Sequence, residues 1–112
     1  MSGLTPEMME AAGRFHREVT RGKRCARCGR ARLLEAHHVV PKQTLKQEID
    51  NERHVDVLYD PRNGLALCAI CHERHTNASD RVPRSLVPAA AWGFAAEHGF
   101  EWLLEAQYPE DK

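Results

Sequence analysis

Eight side chains of the metal-binding type fall into two short stretches of this 112-residue chain. They are Cys25, Cys28, His37, His38, Cys68, Cys71, His72 and His75. Four thiolates can close a tetrahedral zinc site completely, whereas imidazoles can hold a second ion whose remaining coordination positions stay open to a substrate. A closed site builds structure and an open site does chemistry. The pattern therefore predicts two metal sites with different roles.

The four cysteines form two pairs with the same two-residue spacing, and 39 residues lie between Cys28 and Cys68. This spacing is typical of zinc knuckles, so we expect a structural zinc that closes the intervening segment into a small fold. An alternative is that residues 68–75 provide all four ligands of one ion. That arrangement would strain the backbone and leave Cys25 and Cys28 without a role. In a reducing compartment such pairs favour metal over disulfides, although an exported chain could bridge them.

A chain of 112 residues is predicted to form a single domain, 1–112, and a domain of this size gains from an added cross-link. Residues 1–10 carry two carboxylates and lack both a basic start and an apolar run. No secretory signal and no stretch of membrane-spanning length is visible, so we expect a cytoplasmic protein that does not enter a membrane.

The formal net charge is zero, but residues 14–46 hold ten Lys and Arg against two Glu, a net of +8. A basic segment around a metal site suits a polyphosphate ligand, because each phosphate contact displaces a counterion. The alternative is a solvated charged surface. The residues predicted to contact nucleic acid are Arg21, Lys23, Arg24, Arg27, Arg30 and Arg32.

Residues 1–22 are predicted to contain an N-terminal helix, in which Thr5 is the cap, Pro6 occupies the first turn and Gly22 marks the end. Its apolar residues recur at helical spacing, which indicates a buried face. They are Leu4, Met8, Ala12, Phe15 and Val19.

Residues 85–108 are predicted to form a helical C-terminal extension. Two helical pieces, 89–98 and 100–108, are separated by Gly99. Their tryptophan, phenylalanine and leucine side chains indicate a packing surface rather than a platform for stacking bases.

Two strands are predicted in the middle of the chain. Residues 33–40 read as a strand that ends at Pro41. A brief second strand is predicted where apolar residues alternate with other side chains. The alternating residues are Val55, Val57 and Tyr59.

A short helix is predicted over residues 71–76, after a polar stretch, 42–52, that fits either a short helix or an ordered loop. On a helix, Cys71 and His72 differ by about 100° in direction, so the thiol and the imidazole can serve different sites. His75 shares the face of His72. Adjacent strand residues point to opposite sides of a sheet, so the two neighbouring histidines are also expected to differ in role.

Three motifs occur in a fixed order between residues 25 and 76. They are Cys25-x2-Cys28, Glu35-Ala36-His37-His38-Val39-Val40-Pro41, and Asn63-Gly64-Leu65-Ala66-Leu67-Cys68-x2-Cys71-His72. Together they resemble the HNH endonuclease family. The resemblance implies an α+β fold: a small ββα-metal nuclease core with a four-cysteine zinc beside it, flanked here by N- and C-terminal helices.

The resemblance also implies roles for individual residues. His37 and His72 would bind the catalytic divalent ion, His38 would be the general base, and Asn63 would brace the loop that bears the base. His75 stays open between a third metal ligand and a phosphate contact, with a helix-surface residue as the remaining alternative.

The activity implied by the resemblance is divalent-metal-dependent hydrolysis of phosphodiester bonds in DNA, either nicking or double-strand cleavage. A neutral imidazole accepts a proton from water near neutral pH, and the ion stabilises the leaving oxygen as a Lewis acid. Imidazole ligands accept Mg²⁺, Mn²⁺, Ni²⁺ or Zn²⁺. The chain has no obvious recognition domain, so we expect double-stranded DNA with weak sequence specificity, cut by a monomer or a homodimer.

Two other functions fit parts of the pattern. A catalytically inactive zinc-ribbon module would bind nucleic acid, and its histidines would be incidental. A protein-interaction domain would use the apolar C-terminal segment. The role of His38 separates the nuclease from both.

Overall fold

The described residues, 5–48 and 55–110, form six α-helices and one two-stranded antiparallel sheet in a computed structural model. The elements are α1 (Pro6–Thr20), β1 (Leu34–His38), α2 (Lys42–Glu48), α3 (Val55–Leu58), β2 (Gly64–Cys68), α4 (Ala69–Thr76), α5 (Ala89–His98) and α6 (Glu101–Gln107), with 3₁₀ turns at Pro61–Asn63 and Arg84–Leu86. Two strands followed at once by a helix make the ββα core, so the predicted α+β class is confirmed.

The N-terminal helix begins as its sequence predicts. The Thr5 hydroxyl accepts a hydrogen bond from the Met8 backbone N–H at 3.1 Å, and Pro6 occupies the first turn. One face of α1 is buried, and its residues are Met8, Ala11, Phe15 and Val19. Leu4, which was predicted on the same face, lies outside the described residues.

The sheet places the two neighbouring histidines on opposite faces. In the antiparallel register His37 lies across from Leu65, and His38 lies across from Gly64. His38 stacks on Phe15 of α1 with ring centroids 4.4 Å apart. The His37 ring instead meets that of His75 on α4 at 4.7 Å. Helix α1 therefore covers one face of the sheet and α4 the other, as alternation along a strand requires.

Close approach of α1 to the sheet depends on Gly64. A Cβ on this residue would overlap the side-chain methyl groups of Val19. Because Gly64 is paired with His38, its missing side chain lets α1 settle against the sheet beside that histidine.

The predicted second strand at residues 55–59 is wrong. This segment contains α3, and its buried residues are Val55, Leu58 and Tyr59, which recur at helical rather than alternate spacing. The strand that pairs with β1 is β2, where Leu65 to Cys68 are all buried. A strand buried on both faces does not alternate in polarity, so periodicity alone could not identify it.

Strand β1 is also shorter than the predicted 33–40. Leu33 has a positive φ of 57°, which excludes it from the strand, and residues after His38 bend away. Helix α4 begins two residues before the predicted start at 71. The polar stretch 42–52 contains α2, and its residues after Glu48 lie outside the described part of the chain.

The C-terminal extension packs onto the core as two helices. Gly99 ends α5 in the left-handed conformation, with φ 81°, as its position in the sequence predicts. Phe94, Leu104 and Tyr108 are fully buried, and α5 packs against the 3₁₀ turn at Pro61–Asn63. Among the described residues, no helix is long and apolar enough to cross a membrane.

We expect Gly64→Ala to lower the free energy of unfolding by about 1–3 kcal/mol, because the new methyl group overpacks the contact with Val19. The matched control is Gly93→Ala in α5, where no atom lies within 4 Å of an added Cβ. That variant should gain about 0.5–1 kcal/mol from helix propensity. Urea denaturation measures both, and equal shifts in the two variants would contradict the packing explanation.

Candidate active site and four-cysteine cluster

The four cysteines converge on one point beside the sheet. Their Sγ atoms all lie within 4.8 Å of one another, and none forms a disulfide. The sulfurs of Cys28 and Cys68 are 3.7 Å apart, close to the roughly 3.8 Å edge of a tetrahedron with 2.3 Å zinc–sulfur bonds. The cluster could therefore hold a tetrahedral metal ion, and it joins the loop after α1 to the junction of β2 and α4.

In both cysteine pairs, a backbone N–H points at a cysteine sulfur and stabilises its thiolate form. The Cys28 N–H points at Cys25 Sγ at 3.5 Å, and the Cys71 N–H points at Cys68 Sγ at 3.4 Å. Gly29, directly after the first knuckle, has a positive φ of 81°, which glycine adopts without strain. Burial, then hydrogen bonding by the neighbouring sulfurs, and last the repulsion of Cys25, raise the pKa of Cys71 to about 12. A bound cation relieves that repulsion.

His38 has one nitrogen held by the backbone. Its Nε2 donates to the Leu58 carbonyl at 3.1 Å, so Nδ1 carries the lone pair. Burial lowers the pKa of His38 to about 4, partly opposed by the Leu58 carbonyl and aided by the positive charge of Lys42. The ring is therefore neutral near pH 7 and can accept a proton at Nδ1.

Asn63 fixes the chain immediately after the two histidines. Its Oδ1 accepts from the Val40 N–H at 2.7 Å, and its Nδ2 donates to the Val40 carbonyl at 3.0 Å. The Asn63 carbonyl also accepts from the Val39 N–H at 2.9 Å. Both Asn63 and Val40 are fully buried, so these bonds satisfy polar groups that water does not reach.

His72 is oriented by a carboxylate. Its Nδ1 donates to Glu35 Oε1 at 2.6 Å, which leaves the Nε2 lone pair unused. This is the usual arrangement of a metal-binding histidine, in which an acceptor on the second nitrogen sets the tautomer and the ring orientation. Glu35 and His37 lie two residues apart on β1, so both face α4.

In His75 the roles of the two ring nitrogens are the reverse of those in His72. Its Nδ1 accepts from the Val82 backbone N–H at 2.9 Å, so the proton of the neutral ring is on Nε2. Burial, and then the charge of Arg81, lower the pKa of His75, which favours this neutral form. Both nitrogens are thus already committed, and no lone pair is left to bind an ion unless the bond to Val82 breaks.

Tyr108 joins His37 and His75 into one buried chain. Its hydroxyl lies 3.0 Å from His37 Nε2 and 3.4 Å from His75 Nε2. Because His75 Nε2 carries a proton, it donates to the Tyr108 oxygen. Between Tyr108 and His37 Nε2 the direction of the hydrogen bond depends on the tautomer of His37, since the hydroxyl can either donate or accept. Burial, and then its histidine neighbours, lower the pKa of His37 to about 3. All three side chains are at least nine-tenths buried.

One cleft of about 680 Å³ contains this whole set, and its size is in the range of ligand-binding pockets. The predicted site residues that line it are His37, His38, His72 and His75. Asn63 is buried and does not line the cleft. Among the described residues, the cysteines are the only group of three or more metal-ligating side chains whose ligand atoms all lie within 4.8 Å of one another. The three histidines of the α4 face are adjacent without reaching that spacing.

The basic residues predicted to contact nucleic acid lie outside the cleft. Arg27 donates to Asp80 at 2.5 Å and to the Arg81 carbonyl at 3.1 Å, and Arg24 donates to the Gly29 carbonyl. None of the six lines the cleft. Arg21, Lys23, Arg30 and Arg32 are exposed around the cysteine cluster.

Several residues of the site were not predicted from the sequence. No role was predicted for Glu35. Its position two residues before His37 on a strand nevertheless puts both side chains on the same face of the sheet. His16, for which the sequence predicted no role, also lines the cleft, and its Nε2 donates to the Leu34 carbonyl at 3.2 Å. Tyr108 and the Leu58 carbonyl gave no signal, because each reaches the site only through tertiary packing.

Comparison with known proteins relates part of the chain to a family. A family model described as HNH endonuclease matches residues 25–79, just under half of the chain. This match confirms the predicted resemblance of the segment to the HNH endonuclease family. No curated protein and no solved structure matches the chain.

We expect Asn63→Ala to lower the free energy of unfolding by about 2–5 kcal/mol, because it leaves the N–H and carbonyl of Val40 buried without partners. Asn77→Ala is the matched control, since the Asn77 side chain bonds only the exposed Ser79 N–H. Its loss should stay below about 1 kcal/mol. Chemical denaturation provides the comparison, and similar losses in both variants would show that Asn63 does not brace the loop.

Proposed function

We propose that this protein is a divalent-metal-dependent DNA endonuclease that hydrolyses phosphodiester bonds with His38 as the general base. The family match supports nuclease activity in general. The observation that carries the finer assignment is the Leu58 carbonyl on His38 Nε2, which fixes a neutral imidazole with its Nδ1 lone pair free beside the cleft.

In the proposed reaction, His38 Nδ1 takes a proton from a water molecule as the water oxygen attacks phosphorus. The P–O bond to the 3′ oxygen breaks and this oxygen takes a proton from solvent, which leaves 5′-phosphate and 3′-hydroxyl ends. His38 then returns its proton to solvent. The contact with Phe15 and the bond to Leu58 hold the ring in one orientation throughout. Positioned proton transfer of this kind contributes about 10²–10⁴-fold to rate.

His37 and His72 would hold the catalytic ion. The donor set fits an ion with an open shell, because Glu35 leaves Nε2 of His72 available and imidazoles accept several divalent metals. When bound, Mg²⁺, Mn²⁺, Ni²⁺ or Zn²⁺ supplies Lewis-acid stabilisation of the leaving oxygen. Asn63 keeps the loop after His38 in place.

For the role of His75 we favour positioning over metal ligation. Its Nδ1 is used by the Val82 N–H and its Nε2–H by Tyr108. A hydroxyl can both donate and accept, so Tyr108 satisfies Nε2 of His37 in either tautomer of that ring. His75 would therefore hold Tyr108, and through it the orientation of His37.

The cysteine cluster would hold a structural zinc ion, the metal that four thiolates at tetrahedral spacing favour. The substrate would be double-stranded DNA read with weak sequence specificity, since the charged surfaces offer contacts to phosphates rather than to base edges.

The proposed base is tested with supercoiled plasmid and a panel of divalent metals. We expect His38→Ala to reduce the cleavage rate at least 100-fold while its melting temperature and its affinity for DNA stay close to wild type. His98→Ala on α5, a histidine outside the cleft, is the control and should cleave normally. Wild-type cleavage by His38→Ala would refute the assignment, and a wild type that binds DNA but never cuts it would favour the zinc-ribbon module.

The zinc assignment predicts one tightly bound zinc per chain, measured by elemental analysis. Cys71→Ser should lose that zinc and unfold well below the wild-type melting temperature, because zinc binding to thiolates contributes folding free energy directly. His72→Ala removes a ligand of the other ion and should keep the zinc and the wild-type melting curve. Melting of the wild type that does not respond to chelation would contradict a structural zinc.

A further inference from the structure

Two cations border the cleft on opposite sides of the histidines. Lys42 is the first residue of α2, next to the side that holds His38. Arg81 lies in the loop between α4 and the 3₁₀ turn at Arg84–Leu86, next to His75 and Tyr108. Lys42 lies above the Tyr59 ring, whose centroid is 6.0 Å from that of His38. Arg81 precedes Val82, whose N–H bonds His75, so one cation lies on each side of the histidines.

The loop that carries Arg81 is fixed on both of its flanks. Before it, the Asp80 carboxylate pairs with Arg27, and the Asp80 N–H donates to the Arg74 carbonyl at 3.1 Å. The Arg81 carbonyl itself accepts from Arg27 at 3.1 Å. After it, the Val82 N–H donates to His75. The backbone is therefore tied to the cysteine knuckle and to the active-site helix, while the Arg81 side chain extends from a fixed point.

Among the described residues, neither Lys42 nor Arg81 forms an ion pair with a carboxylate. Three other arginines do form ion pairs: Arg27 with Asp80, Arg62 with Asp60 and Glu97, and Arg84 with Glu105. Within residues 5–48 and 55–110, no acid lies within ion-pair distance of Arg81 or Lys42. Lys42 only lies above the Tyr59 ring, 5.8 Å from its centroid. The one carboxylate that lines the cleft, Glu35, is bonded to His72.

Lys42 and Arg81 therefore carry the permanent positive charges that line the cleft, against the single carboxylate of Glu35. A half-buried ammonium and an exposed guanidinium on opposite sides of the histidines suit an extended polyanion better than a single small anion. Guanidinium groups pair with phosphate oxygens through two parallel hydrogen bonds, and lysine acts as a point charge.

We propose that Arg81 and Lys42 bind the DNA phosphates on the two sides of the scissile phosphate, Arg81 on the side of His75 and Lys42 on the side of His38. This inference rests on the proposed nuclease function. It moves the main phosphate contacts from the arginine-rich segment 21–32, where the charge pattern predicted them, to two isolated cations at the cleft.

The test measures DNA binding separately from cleavage. A fluorescent duplex is titrated at several salt concentrations with His38→Ala protein, which is expected to bind without cutting. Arg81→Ala and Lys42→Ala are added singly to this background. Each should weaken binding at least fivefold and lower the slope of log K against log salt by about one, as loss of one phosphate contact requires. Arg81→Lys should retain most of the slope and lose part of the affinity.

The controls are Arg14→Ala and Arg74→Ala, two exposed arginines outside the cleft, which should change neither quantity. Melting curves of all variants confirm that the exposed side chains are dispensable for folding. If Arg81→Ala and Lys42→Ala bind like the controls, the inference is overturned even when wild-type protein cleaves plasmid. If their slopes fall but wild-type protein never cleaves with any metal, the phosphate contacts stand and the nuclease proposal fails.

Discussion

Convergence of four sulfurs at the junction of β2 and α4 is the constraint on which the rest of this structure depends. Cys68 ends β2 and its Sγ accepts the Cys71 N–H, so the same residue closes the strand, caps the helix and joins the cluster. That arrangement sets the direction of α4 and thereby brings His72 and His75 against His37 on β1. In a chain of this length, a two-stranded sheet and an eight-residue helix bury too little apolar surface to hold such geometry unaided.

In three of the histidines, one ring nitrogen is hydrogen-bonded to a fixed group of the protein. That partner determines whether the other nitrogen carries a lone pair or a proton. Leu58 provides a carbonyl for His38, Glu35 a carboxylate for His72, and Val82 an N–H donor for His75. The first two partners are acceptors and leave a lone pair free. The third is a donor and uses the lone pair. The partner, rather than the histidine itself, therefore decides whether a ring can accept a proton or bind a metal ion.

The sequence predicted those parts of the structure that depend on short local patterns. The knuckle spacing, the cap at Thr5 and the turn at Gly99 each depend on a few neighbouring residues, and each is found in the structure. The second strand was missed because Leu65 to Cys68 are buried on both faces and show no alternation. The partners of the histidines were missed for a different reason. Backbone groups and distant residues reach the site only through tertiary packing, which periodicity does not describe.

The C-terminal extension contributes to the cleft as well as to the core. The family match ends at residue 79, yet Arg81 and Tyr108 both line the cleft. Helix α6 brings Tyr108 to His37 by packing Leu104 and Tyr108 into the core. The loop with Arg81 is fixed by a residue of the first knuckle, Arg27. Residues outside the matched segment therefore contribute a positive charge and a hydrogen bond to the site, so the motifs alone do not determine its charge or the surroundings of His37.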